Sequence, residues 1–355
     1  MLKPRESITT LAPYRSPLGD REGIHLDLNE NAAGCSERVL TRLRTLTSAD
    51  ISRYPNREDG ERVVAKFLGL PPEQVLLTNG IDEGLYLLSA TYLGEGDEML
   101  FADPTFVMYP IYGHSTGARV VRVASDEDFA FPAGKILAAI SPRTRLITIA
   151  NPNNPVGTWL GAGELRAFLD ALPPAVIAVV DEAYFEYSRD VDCADASLWI
   201  RDLPNLVVTR TFSKAYGLAG LRVGYALSHP DVADLLNRVR QPFNVNSVAL
   251  AAAEAALDDA AHIAASVELN RAGLVELRRG LAELGLRVLP SAGNFVLVDF
   301  GRPAAPIYDA LLREGVIVRP VAGYGLPDAL RITVGTTTEN ARCLDALARV
   351  PGASS

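Results

Sequence analysis

The stretch AVIAVVDEAYFEY, residues 175–187, runs six apolar residues directly into Asp181-Glu182. A short unbroken run rich in β-branched residues is the pattern of a strand covered on both faces, as in a parallel sheet flanked by helices. A carboxylate at the end of such a strand needs a partner for its charge. That partner is either an arginine or helix terminus of the protein itself, or a cationic group on a ligand.

Six more runs of the same character accompany it: VLLT (75–78), EMLFA (98–102), RVVRV (119–123), RLITIA (145–150), LVVTRTF (206–212) and RVGYAL (222–227). Segments between them, such as GIDEGLYLLSATYL (80–93) and GAGELRAFLDAL (161–172), carry apolar residues at helical spacing. The alternation predicts an α/β fold with a mostly parallel seven-stranded sheet over residues 31–243. After Pro242 an alanine-rich helical stretch (247–281) gives way to RVLP (287–290), NFVLVDF (294–300), GVIVRP (315–320) and LRITVG (330–335). These predict a smaller α+β domain over residues 244–355. Residues 1–30 show little periodicity and several prolines, and are expected to form an arm that packs elsewhere.

At 355 residues the chain exceeds one ordinary hydrophobic core, in keeping with two domains. Its formal charge of −9 argues against broad nucleic-acid binding, and any acidic ligand needs locally placed arginines. Cys35, Cys193 and Cys343 are odd in number and lack metal-ligand spacing, so neither a disulfide framework nor a metal site is expected. The N-terminus has no apolar signal region and no apolar run is long enough to cross a bilayer, which predicts a cytoplasmic protein without membrane contact.

Neither the G-x-G-x-x-G nor the G-x-x-x-x-G-K-[ST] signature is present. Chemistry-bearing residues instead cluster at predicted strand ends, where open α/β sheets bind ligands. LLTNGIDEGL (76–85) turns at Asn79-Gly80 into a helix with Asp82 and Glu83 in its first turn. This is a normal helix start, and also a place where backbone N–H groups can hold a phosphate. ANPNNPVG (150–157) is a rigid turn that leaves Asn154 with a free amide at the sheet edge. Ser213-Lys214 follow the strand LVVTRTF, with Arg222 eight residues beyond the lysine. Taken alone, a lysine there is a solvated surface residue; buried, it has a depressed pKa and serves as a neutral nucleophile that forms an imine with an aldehyde.

The joint order N-P-N-N-P-x-G, D-E-A-Y and S-K-A-x-x-L-A-G-L-R resembles the fold-type I pyridoxal phosphate (PLP) aminotransferases, and more narrowly the histidinol-phosphate aminotransferases. The likeness extends over LNEN (28–31), SRYPN (52–56), TNGIDEG (78–84), DPTFVMY (103–109) and GVIVRPVAGYGLPDALRITVG (315–335). It implies that Lys214 holds PLP as a Schiff base and moves the substrate proton, and that Asp181 faces the pyridine nitrogen. It assigns Asn154 and Tyr184 to the ring hydroxyl and Tyr109 to the ring face. Gly80, Ile81 and Asp82, with Ser213 and Arg222, are assigned to the cofactor phosphate. It further implies a homodimer in which Tyr54 reaches the neighbour's cofactor and Tyr14 lines the neighbour's substrate pocket. Asn31, Arg319 and Arg331 are the remaining expected substrate contacts, the two arginines for an acidic end.

Ala33 and Cys35 stand where the family usually has prolines, and Val156 where it usually has threonine. The expected activity is ping-pong amino transfer between histidinol phosphate and 2-oxoglutarate, in histidine biosynthesis. An aromatic amino acid aminotransferase and a PLP-dependent decarboxylase of a phosphorylated amino acid share the same motifs and stay open at this point.

Overall fold

A computed structural model describes residues 3–13 and 22–350; Tyr14 lies outside the described residues. Twelve strands run in chain order as β1 (Ile24–Leu26), β2 (Val75–Thr78), β3 (Glu98–Asp103), β4 (Arg119–Ala124), β5 (Thr144–Ala150), β6 (Ile177–Asp181), β7 (Leu206–Thr211), β8 (Gly224–Ser228), β9 (Arg287–Val288), β10 (Phe295–Asp299), β11 (Val316–Pro320) and β12 (Ala329–Thr333).

The larger sheet has seven strands in the order β2-β8-β7-β6-β5-β3-β4. Only β8 runs against its neighbours, pairing antiparallel with β2 and β7. Every residue of β6 and β7 is buried, which is why their sequences are unbroken apolar runs rather than alternating ones. Helices cover both faces, among them Gly80–Tyr92, whose Gly84, Leu85, Leu87 and Leu88 are buried. The predicted α/β class and mostly parallel seven-stranded sheet are what the molecule has.

The smaller sheet is β1-β11-β12-β10-β9. Its first strand comes from within residues 1–30: Ile24, His25 and Leu26 pair parallel with Val316, Ile317 and Val318. This docks the chain start on the small sheet and carries residues 27–30 across to the edge of the large one. The helix Ser247–Leu257 lies on the other side of residue 243, yet Ala249, Ala252, Ala253 and Ala256 belong to the core beneath the large sheet. Small side chains allow that close approach.

Candidate active site

Five strand ends of the large sheet converge on one cleft of about 460 Å³, a size suited to a small organic ligand. Its lining includes Ile81, Asp82, Tyr109, Asn154, Asp181, Tyr184, Ser213, Lys214, Arg222, Arg319 and Arg331. Four cations face three carboxylates there, Glu30, Asp82 and Asp181, so an acidic protein has a locally basic pocket.

Each strand end explains one side chain. After β5, Asn151 accepts from Leu160 N (2.9 Å) and Asn153 Nδ2 donates to Pro104 O (2.9 Å), so two asparagines pin the turn. The third, Asn154, is left at the cleft, where its Oδ1 accepts from Arg331 Nη1. At the end of β6, Asp181 accepts from Tyr109 Oη (2.8 Å) and from Ala183 N (3.2 Å). Burial raises its pKa to about 6, against the pull of the Tyr109 hydroxyl and the Ala183 amide. Among the described residues, the donors to that carboxylate are neutral, Thr209 included, and none is cationic.

After β7 the chain wraps tightly, with Gly217 N donating to Lys214 O (2.9 Å) and Leu218 N to Phe212 O (2.9 Å). Lys214 Nζ donates to Leu28 O (2.9 Å) and lies 5.9 Å from the Tyr184 ring centre. Lys214 is half-buried and lines the cleft. Burial, then the charge of Arg331, brings its pKa from 10.5 down to about 8. Gly217 has φ +70, and a Cβ there would fall 2.0 Å from Gly34 O. Gly217→Ala is therefore expected to lower stability by about 3 kcal/mol or more. Gly163→Ala, in an open position on the helix Ala162–Asp170, should instead be neutral or gain about 0.5–1 kcal/mol. Denaturant midpoints of the two variants check this pair.

The start of the helix Gly80–Tyr92 forms the anion end of the cleft. Asn79 makes no side-chain cap, so N–H groups of the first turn are left for another partner. Gly80 has φ +73, and a Cβ on it would sit 2.7 Å from Arg222 Nη2. A side chain at 80 would therefore strain the backbone and push the Arg222 guanidinium out of its place beside this helix. Arg222 Nη2 donates to Asp82 Oδ2 (3.2 Å) and Nη1 to Ala219 O (3.0 Å) and Ser213 Oγ (3.4 Å).

Arg331 and Arg319 form the opposite end. They are direct cross-strand partners on β12 and β11. Like charges placed so are destabilising unless an anion lies with them, and the buried Asp27 carboxylate acts on both. Arg331 Nη2 donates to Asp27 O (2.5 Å), which ties the 27–30 segment to this end.

Two expected residues fall elsewhere. Asn31 is not part of the cleft lining of this chain: its Nδ2 donates to Ala215 O (2.8 Å) and Ser266 Oγ (2.9 Å). From the same motif, Asn29 and Glu30 line it instead. Tyr54 lies outside the cleft of its own chain, 81 % exposed and stacked on Phe243 at 4.3 Å between ring centres.

Residues 21–347 match the family described as aminotransferase class I and II. The chain belongs to that family. This aminotransferase is 51 % identical to histidinol-phosphate aminotransferase 2 of Pseudomonas fluorescens over 92 % of its own length and 88 % of the relative's. It is 47 % identical to histidinol-phosphate aminotransferase 2 of Methylococcus capsulatus, over 97 % and 99 % of the two chains. Among solved structures, the histidinol-phosphate aminotransferase of Sinorhizobium meliloti in complex with pyridoxal-5'-phosphate superposes with a TM-score of 0.90 at 31 % identity, covering 97 % and 96 % of the chains. Among the described residues, no helix is long and apolar enough to cross a membrane.

Proposed function

We propose that this aminotransferase uses pyridoxal phosphate to exchange the amino group of histidinol phosphate with 2-oxoglutarate, a step of histidine biosynthesis. The observation that carries the substrate is the facing pair Arg319 and Arg331 at the end of the cleft opposite the Gly80 cradle. One anion-binding end suits the cofactor phosphate, and the second suits the anionic end of the substrate. Names of the relatives above favour neither an aromatic aminotransferase nor a decarboxylase.

The residues present fit the cofactor. Gly80, Ile81, Asp82, Ser213 and Arg222 would hold its phosphate, Asp181 its ring nitrogen, Asn154 and Tyr184 its ring hydroxyl and Tyr109 a ring face. The buried Asp181 carboxylate, whose donors among the described residues are neutral, is matched to a cationic nitrogen. When bound, the cofactor supplies an aldehyde for the Lys214 amine and a ring that withdraws electrons from the substrate's Cα. Lys214 holds the cofactor and then carries the proton released at Cα. Asp181 keeps the ring nitrogen charged, and Tyr184, its pKa pushed up to about 12 chiefly by burial, keeps its proton at neutral pH. Arg319 and Arg331 orient the anionic end so that the bond to hydrogen faces Lys214.

The same reading makes the protein a cytoplasmic homodimer in which Tyr54 reaches the neighbour's cofactor phosphate. The exposed Tyr54–Phe243 stack, with Ile51 exposed beside it in sequence, supports such a contact.

Steady-state kinetics with histidinol phosphate, phenylalanine and glutamate test the substrate. Arg319→Leu should lower kcat/KM for histidinol phosphate about 10- to 100-fold, the weight of one or two charge-assisted hydrogen bonds, and that for phenylalanine less. A wild-type preference for phenylalanine, or equal losses on both substrates, would count against the assignment.

A further inference from the structure

Residues 27–30 cross the cleft between the two sheets, and the donors and acceptors around Asn29 decide the direction of a proton. Asn29 is 1 % exposed, Thr333 3 % and Tyr184 4 %, so no bulk water adjusts these bonds. Asn29 N–H can only donate, and it meets Thr333 Oγ1 at 3.0 Å. The Thr333 hydroxyl, already accepting, has one hydrogen to give, and Asn29 Oδ1 lies 3.0 Å away to take it. With Oδ1 on the Thr333 side, the amide presents Nδ2 to Tyr184 Oη at 2.9 Å. An amide NH2 only donates, so Tyr184 Oη accepts here and its own hydrogen is turned elsewhere.

The opposite amide orientation carries a penalty in this site. It would set Nδ2 against Thr333 Oγ1 and leave the Thr333 hydrogen buried without an acceptor. The segment is also held from swinging, because Asn294 Nδ2 donates to both Asn29 O and Glu30 O (3.1 Å each). Asn29 itself has φ +55, in the left-handed region that asparagine and aspartate tolerate better than other side chains.

From this geometry we infer that Asn29, held by Thr333, is a positioning residue that makes the Tyr184 hydroxyl donate its proton into the cleft. The inference rests on the cofactor reading above, in which the acceptor in the cleft is the oxygen on the cofactor ring. A fixed donor at that oxygen lowers its basicity, and a donor free to turn away does so less. Nothing in the LNEN motif alone separates this role from that of Asn31, two residues on.

The test uses the cofactor-loaded enzyme and reads the midpoint of the pH-dependent absorbance of the bound cofactor. Thr333→Val touches neither cleft nor charge, yet frees the amide to turn its oxygen toward Tyr184. It should raise the midpoint by about half a pH unit to one unit. Asn29→Asp keeps the backbone conformation, places an acceptor against Tyr184 and should raise it further. In a Tyr184→Phe background the Thr333→Val shift should vanish and the Asn29→Asp shift should shrink to its purely electrostatic part. An unmoved midpoint in Thr333→Val, or shifts that persist undiminished in Tyr184→Phe, overturn the inference. The 13C shift of ring-labelled Tyr184 Cζ in cofactor-free protein supplies an arm that does not need the cofactor. It should move in both variants, and no movement in either rejects the role. A wild-type protein that takes up no pyridoxal phosphate sinks the cofactor reading instead, while this last measurement still decides the direction of the hydrogen bond.

Discussion

Lys214→Ala should lower amino transfer by at least about 10³-fold, measured as single-turnover conversion of glutamate and of histidinol phosphate. On the proposed function the size follows from two losses at one atom: the amine that would hold the cofactor and the base that would move the Cα proton. Lys214→Arg should be equally damaged. Arginine keeps the positive charge near Leu28 O but stays protonated throughout the working pH range, so it is neither nucleophile nor base. An arginine variant retaining a tenth of the activity would show that only the charge matters. The depressed pKa gives a further readout in cofactor-free wild-type protein. Neutral amine accumulates as pH rises through about 8, so the rate of cofactor capture should rise with that midpoint and not with 10.5. Between these two values the unfolded chain binds a proton that the folded one lacks, so cofactor-free protein should gain stability as pH increases over that window.

Much of the machinery around Lys214 was legible because buried parallel strands leave an unmistakable trace. β6 and β7 are continuous apolar runs, and a polar residue at the end of either must face a ligand or another charge. The sequence placed Asp181, Ser213 and Lys214 at strand ends for that reason, and all three line one cleft. What the local pattern does not carry depends on local conformation or distance. Asn29 and Asn31 would share a face in a regular strand, but φ +55 at Asn29 breaks the alternation and sends the two side chains to different partners. β1 is three residues long, too short to show a period, and its partner β11 lies almost the whole chain away. The helix Ser247–Leu257 is so rich in alanine that its composition hardly marks which face is buried or against which sheet. Such features depend on contacts between distant segments, which a local pattern cannot carry.

Asp181→Asn should move activity and stability in opposite directions. The substitution keeps the shape and one acceptor, which Ala183 N takes while the amide NH2 donates to Tyr109 Oη, but on the proposed function it removes the charge that would hold the cofactor's ring nitrogen protonated. A preorganised charge at such a position is typically worth 10²- to 10³-fold in rate, so kcat should fall by about that much. In cofactor-free protein the sign reverses. Burial raises the Asp181 pKa from 3.8 to about 6, so between those values the folded state holds a proton that the unfolded state has released. Stability therefore falls as pH rises through this window, and the deficit is constant above it. Two pKa units correspond to about 3 kcal/mol in magnitude, which asparagine would recover at neutral pH provided the Ala183 contact is kept. Thermal unfolding of cofactor-free wild type and variant should thus diverge between about pH 4 and 6 and run parallel above, with the variant the more stable. With pyridoxal phosphate bound, the carboxylate gains its cationic partner and the wild type should overtake the variant. A variant that is less stable without cofactor and nevertheless active would show that Asp181 serves the packing of β6, and not the chemistry of the cleft.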